Sequence, residues 1–183
     1  MSLRSKKLYN KNVFLSGGVD TNSIMKCVED IFEIIEFNEA YEEPEAPINL
    51  IMNSPGGSVY DGFALIGIME TSPVPIHTYA YGQIMSMALP IFVSGHYRIA
   101  SPYTTFMYHN ISWDSQYEKL EWHRQELKEA DRLQKLYDGI ILKRTKLPKA
   151  SMEDVIRTKS EWYFSPSEAK KFKVVDRVLT SKI

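Results

Sequence analysis

Cysteine is almost missing from this chain: Cys27 is the only one in 183 residues. A single thiol excludes an intrachain disulfide framework and any multi-cysteine metal site, and it suits a reducing compartment. Histidine is scarce as well. His77, His96, His109 and His123 stand in neither an HExxH nor a His-x-His spacing, so no metal centre is expected. His123 and its glutamate neighbours read as a solvated helix face. An excess of one charge is also lacking. Lys+Arg number 22 and Asp+Glu 23, a net charge of −1, so no global pull toward nucleic acid or an anionic membrane is expected. The longest apolar run, Ile84 to Val93, is interrupted by Ser86 and Pro90 and falls far short of the ~20 residues of a membrane span. The opening MSLRSKKLYNKNVF is basic with no apolar core behind it, so no secretory signal is expected and a cytoplasmic location is.

What is present is enough for a core. The chain is 44% apolar, 25% charged and 12% aromatic, which excludes disorder as the main state. At roughly 150 residues per domain, one domain over residues 1–183 is expected. Asn12 to Leu15 reads as a strand stopped at Gly17-Gly18, and residues 21–38 as a helix with Ile24, Val28, Ile31 and Ile35 on one face. Cys27 beside that stripe reads as a small core residue. The stretch 41–47, YEEPEAP, reads as a solvated loop. Ile48 to Met52 reads as a buried strand ending in the turn Asn53-Ser54-Pro55-Gly56-Gly57, with a helix capped by Ser58 after it. Val74 to Tyr81 predicts a strand that Gly82 stops, residues 86–94 a short apolar helix, and Tyr97–Ala100 and Thr104–His109 two further strands. Strands alternating with helices argue for an α/β layer.

Residues 118–146 place Leu120, Leu127, Ala130, Leu133, Tyr137 and Ile141 on one stripe. They predict an amphipathic helix of about 40 Å. That is long for a domain of this size, so its stripe faces either its own chain or another subunit. Ser151–Thr158 predicts a short helix, Ser165-Pro166-Ser167-Glu168 a helix start, and Val174–Leu179 a last strand.

Two turns and two side chains carry chemistry. Adjacent glycines before a helix start let the backbone approach a ligand and offer N–H donors, as an oxyanion hole requires. A plain tight turn is the other reading of Gly56-Gly57, and the segment is not a Walker loop. Ser86 stands at the start of an apolar helix, where it is either a cap or a nucleophile. Its surroundings are not the GxSxG elbow. His109, 23 residues on at a strand end, is either a buried structural histidine or a general base.

The segments NSPGG-x-V (53–59), GQ-x-x-SM (82–87), M-x-H (107–109) and FSPSEA with VDRVL (164–179) occur in this order. Together they resemble the ClpP family, the proteolytic subunits of the ATP-dependent caseinolytic protease, from about Leu8 to Leu179. The resemblance implies an α/β, crotonase-like ββα superhelix with a protruding handle helix at about 111–146. It implies a serine endopeptidase acting on unfolded proteins or peptides inside a barrel of one or two heptameric rings, with no cofactor. Ser86 is then the nucleophile and His109 the base, and the N–H groups of Gly57 and Met87 form the oxyanion hole. The family's aspartate falls on Glu161, with Asp154 and Asp114 as alternatives by position.

Departures from the family qualify this. Ile84-Met85 and Ala88 are bulkier than the family's residues around the serine. Asn110-Ile111-Ser112-Trp113-Asp114 replaces a glycine-rich strand, which bears on ring pairing. The chain opens almost at its first strand, so axial loops are expected to be mostly absent. Asn49 and Ile51 replace aromatic residues where an AAA+ unfoldase docks, so weak docking or none is expected. These features suit a divergent or phage-encoded relative, which would act in the host cytoplasm. A subunit of low or no activity, serving assembly or regulation, is the alternative. A crotonase-type acyl-CoA enzyme is a third reading, without a visible basic cluster for the CoA phosphates.

Overall fold

The computed structural model describes residues 8–41, 46–112 and 120–180. Among the described residues, seven strands form one sheet: β1 (Asn12–Val19), β2 (Ile48–Gly57), β3 (Ile76–Met85), β4 (Tyr97–Ala100), β5 (Thr105–Tyr108), β6 (Trp162–Phe164) and β7 (Arg177–Val178). Helices among the described residues are α1 (Thr21–Ala40), α2 (Val59–Thr71), α3 (Ala88–Val93), α4 (Leu120–Arg144), α5 (Lys149–Thr158) and α6 (Pro166–Lys171), and residues 8–10 are helical as well. The strands lie in the order β1-β2-β3-β4-β7, all parallel; β5 also pairs parallel with β3, and β6 pairs antiparallel with β5.

The expected α/β layer is present, but three glycine stops are not stops. β1 continues through Gly17-Gly18 to Val19, and β2 continues through the NSPGG segment to Gly57. A break in register near Ser16–Gly18 lets the glycines of both strands pair, Gly18 with Gly56 and Val19 with Gly57. β3 likewise runs past Gly82, where φ is +65°. It pairs with β4 over His77–Ala80 and with β5 over Gln83–Met85. The glycine bends the strand so that it serves two neighbours, and the second half of β3 ends at the serine.

Local signals behave as their chemistry dictates. Asp20 caps α1 in a reciprocal box with Ser23, and Ser165 does the same for α6 with Glu168. Ser58 Oγ accepts the Asp61 N–H at 3.3 Å, while the Asp61 carboxylate accepts the Thr21 hydroxyl at 3.2 Å. The α1 stripe packs Ile24, Cys27, Ile31, Ile34 and Ile35 on the sheet, with Val28 half-buried at its edge. Cys27 is a core residue, and burial pushes its thiol up to about 12. β2 alternates rather than burying both faces: Ile48, Leu50 and Met52 point into the core, and Asn49 and Ile51 are half-buried on the other face. β6 has no counterpart among the expected elements. The last strand shrinks to Arg177–Val178.

α4 divides along its length. Leu133, Tyr137 and Ile141 are buried in the chain's own core, whereas Leu127 is 66% exposed and Trp122 48%. The helix begins at Leu120 among described residues; the expected start at 118, the loop residues 42–45 and Asp114 lie outside them. Arg98 anchors the far edge of the sheet, with two side-chain nitrogens each 2.8 Å from Asp176 and a third 2.9 Å from the Arg144 carbonyl at the end of α4.

Candidate active site

Ser86 occupies the one-residue corner between β3 and the turn into α3. Its φ is +51°, a left-handed conformation that a non-glycine residue rarely holds. Three backbone bonds fix it. Its N–H donates to Met107 O at 3.1 Å, and its carbonyl accepts from Leu89 N–H at 2.9 Å and from the Tyr137 hydroxyl at 3.1 Å. The strand–corner–helix arrangement turns the side chain out of the sheet. The sequence reads Ser86 as either the cap of a helix over 86–94 or a nucleophile at its start; the corner instead precedes the helix, whose N-cap is Met87.

His109 stands one residue past the end of β5, and β5 lies directly against the last residues of β3. Adjacent parallel strands ending at one level bring the two side chains together. His109 Nε2 lies 2.7 Å from Ser86 Oγ, a hydrogen bond of ordinary length. A cavity of about 30 Å³ opens beside them, lined by Gly57, Val59, Met87, Ile111 and Tyr137 among others.

The end of β2 closes the corner from below. Gly56 has φ +94°, and a Cβ there would sit 2.7 Å from both Met85 O and Ser86 Cβ and 2.8 Å from Met87 N. Gly57, at φ +148°, would drive a Cβ to 2.3 Å from Val19 O. Both positions therefore exclude any side chain, which explains two glycines within a strand. Gly57 and Met87 both border the cavity. Met87 N–H donates to no backbone oxygen among the described residues.

The three carboxylates considered for the acid are placed differently. Asp154 pairs with Arg157 on its own helix, and Asp114 lies outside the described residues. The β5–β6 pairing ends at Tyr108 and Trp162, and Glu161 and His109 each stand one residue beyond that last pair. Its carboxylate is exposed and accepts the Tyr163 hydroxyl at 2.5 Å. Glu161 thus follows the strand end opposite His109, and its carboxylate is bonded to Tyr163 and not to the His109 ring.

Three residues behind the site were not singled out for chemistry in the sequence. Asp138 Oδ1 accepts the Tyr108 hydroxyl at 2.7 Å and the Gln134 amide at 2.9 Å. Gln134 Oε1 accepts the Ile111 N–H at 2.7 Å. Burial raises Asp138 above the ordinary aspartate range, against the lowering effect of its two hydrogen bonds. The available signal was Tyr137 in an otherwise apolar stripe, because a buried phenol needs a partner. Among the described residues, no cluster of three or more His, Cys, Asp or Glu side chains could hold a metal ion.

Fold and site together define an α/β protein with a serine and a histidine joined at a corner of its sheet. A sequence model for Clp protease matches residues 2–182, and the chain belongs to that family. Membership places it among peptidases, a class of hydrolases, in a family that handles peptides and generally assembles into rings.

Proposed function

We propose that the chain is a serine endopeptidase of the ClpP type, with Ser86 as nucleophile and His109 as general base. The single observation that carries this reading is the 2.7 Å contact between His109 Nε2 and Ser86 Oγ at a serine held in a left-handed corner, in a chain of the Clp protease family. In the first half-reaction Ser86 Oγ adds to the carbonyl carbon of the scissile peptide, and its proton passes to His109 Nε2. The oxyanion forms toward the N–H groups of Gly57 and Met87. Collapse of the adduct breaks the C–N bond, and the His109 proton leaves on the new amine. Water then adds to the acyl carbon, losing a proton to His109; collapse breaks the ester C–Oγ bond, that proton passes to Ser86 Oγ, and the acid departs. Only water is consumed, so no cofactor is needed.

Glu161 is the acid of this reading. A rotation of its side chain away from Tyr163 would bring the carboxylate toward the His109 ring. There it would fix the tautomer and stabilise the imidazolium. A resting subunit of low activity is the second reading. The Glu161–Tyr163 hydrogen bond favours it, since that carboxylate is engaged elsewhere.

The finer fold proposed is the ββα superhelix of the family with α4 as its handle. Exposed Leu127 and Trp122 on the N-terminal half of α4 would be covered by a second subunit, in a heptamer or a pair of heptamers. Substrates would be peptides or unfolded chains. Docking of an AAA+ unfoldase would be weak, because Asn49 and Ile51, half-buried on the outer face of β2, stand in place of aromatic residues. The proposed location is cytoplasmic. Peptide hydrolysis by wild type, lost in Ser86→Ala and in His109→Ala, is the expected result. Hydrolysis retained by either variant would overturn the assignment.

A further inference from the structure

The serine and the histidine are both attached to α4, through side chains that the hydrolytic steps do not use. Tyr137 and Asp138 stand three and four residues after Gln134, so both lie beside it on one side of the helix. Tyr137 is 2% exposed and donates to the carbonyl of the nucleophile's own residue at 3.1 Å. Asp138 accepts the hydroxyl of Tyr108, the residue before His109, at 2.7 Å. Gln134 bonds Asp138 with one end of its amide at 2.9 Å and accepts the N–H of Ile111, two residues after His109, at 2.7 Å with the other. One helix face thus grips the nucleophile's peptide and the chain on both sides of the base.

We propose that Gln134, Tyr137 and Asp138 are positioning residues that hold Ser86 and His109 at hydrogen-bonding distance from each other; this rests on the serine–histidine reading above. Two strains make such a device necessary. Ser86 keeps an unfavourable φ of +51°, which persists only where neighbours over-determine it. Tyr137 is the only side chain among the three groups that bond its backbone. His109 lies beyond the last paired residue of β5, so the sheet no longer dictates its path. The Gln134 carbonyl takes over by accepting the Ile111 N–H. Asp138 uses one oxygen, Oδ1, for both of its bonds. An asparagine amide oxygen can accept the same pair, so acceptor geometry rather than charge is what the position supplies.

The test is active-site titration with a fluorophosphonate on the full-length assembled protein. It reads two quantities: the fraction of chains labelled and the rate constant of labelling. Gln134→Met, Tyr137→Phe and Asp138→Ala are each expected to label fully but about tenfold more slowly, since small misplacements of reacting atoms carry large rate penalties. Peptide kcat should fall in proportion with KM unchanged, and the inflection of activity against pH should stay where wild type has it. Asp138→Asn should label within about twofold of wild type. A purely structural role would lower the labelled fraction and leave the rate constant intact. That result, or wild-type labelling rates throughout, would overturn the proposal. Should Asp138→Ala fail to fold, Gln134→Met and Tyr137→Phe decide by the same criteria. No label on wild type would refute the serine–histidine reading itself, and with it this inference.

Discussion

Replacing Gly56 by alanine tests whether the end of β2 holds the serine corner in place. A Cβ at this position would lie 2.7 Å from Met85 O and Ser86 Cβ and 2.8 Å from Met87 N. These are backbone atoms and a Cβ, so no flexible side-chain end can swing aside. Relief to an ordinary contact near 3.4 Å requires about 0.7 Å of movement between β2 and the corner. Moved by that amount along their line, Ser86 Oγ and His109 Nε2 would separate from 2.7 Å to about 3.4 Å, at or beyond the limit of a useful hydrogen bond. The backbone term adds to this, because φ is +94° and alanine in such a conformation costs ~1–2 kcal/mol. Overpacking adds another ~1–3 kcal/mol. Gly56→Ala should therefore lose about 2–5 kcal/mol of stability, a drop of roughly 5–15 °C in Tm for a chain of this size. Where the variant stays folded, peptide hydrolysis should fall about 100-fold. Thermal melts followed by circular dichroism, with hydrolysis measured at a temperature where both proteins are folded, provide the readouts. Unchanged stability with unchanged turnover would refute the packing argument.

Tyr163→Phe removes the hydroxyl that holds the Glu161 carboxylate and should leave turnover equal or raised, while Glu161→Ala should lower it by at least tenfold; equal activity in Glu161→Ala and wild type would remove Glu161 from the mechanism. A histidine base predicts that kcat/KM is lost on the acid side, where protonation removes the base, and a flat profile from pH 5 to 8 would contradict it. Burial alone would raise Asp176, but its hydrogen bonds and ion pair with Arg98 outweigh this and hold it below the ordinary aspartate range. Its stabilising contribution is therefore present above the unfolded value near ~3.9 and lost as pH falls toward the folded value. Asp176→Asn should cost about 1–2 kcal/mol at neutral pH, with the partial exposure of the pair discounted, and urea unfolding should show the gap closing below about pH 4. An AAA+ unfoldase of the ClpX or ClpA type should neither copurify with the chain nor stimulate it, and clear ATP-dependent stimulation would contradict the reading of Asn49 and Ile51.

Periodic features were legible in the sequence. The helical stripe of residues 21–38, the strand at Ile48–Met52, the caps at Ser58 and Ser165 and the long helix ending near Arg144 follow from spacing and capping chemistry that act locally. The glycine segments are not legible in this way, because glycine in a sequence reads as punctuation. In β2 and β3 it permits close approach between strands, and that depends on partners far along the chain, such as Ser86 against Gly56 and Asn53 against Gly82. β6, three residues long, is too short to leave a periodic trace and forms because β5 offers it an edge. In the candidate site, Ser86 and His109 could be named from motif order, and the structure adds their contact. The left-handed corner at Ser86 was hidden, since φ is imposed by packing and no local residue preference signals it. Glu161 could be placed by position alone, but its bond to Tyr163 depends on which rotamer two exposed side chains adopt. Tyr137 reads as part of an apolar stripe, but its informative end is the hydroxyl bonded to the Ser86 carbonyl.

The most direct test of the central claim is intact-mass detection of fluorophosphonate labelling on wild type and on Ser86→Ala. The account predicts one adduct per chain on wild type and none on the variant. No adduct on correctly assembled wild type, or an adduct that persists in Ser86→Ala, would contradict it.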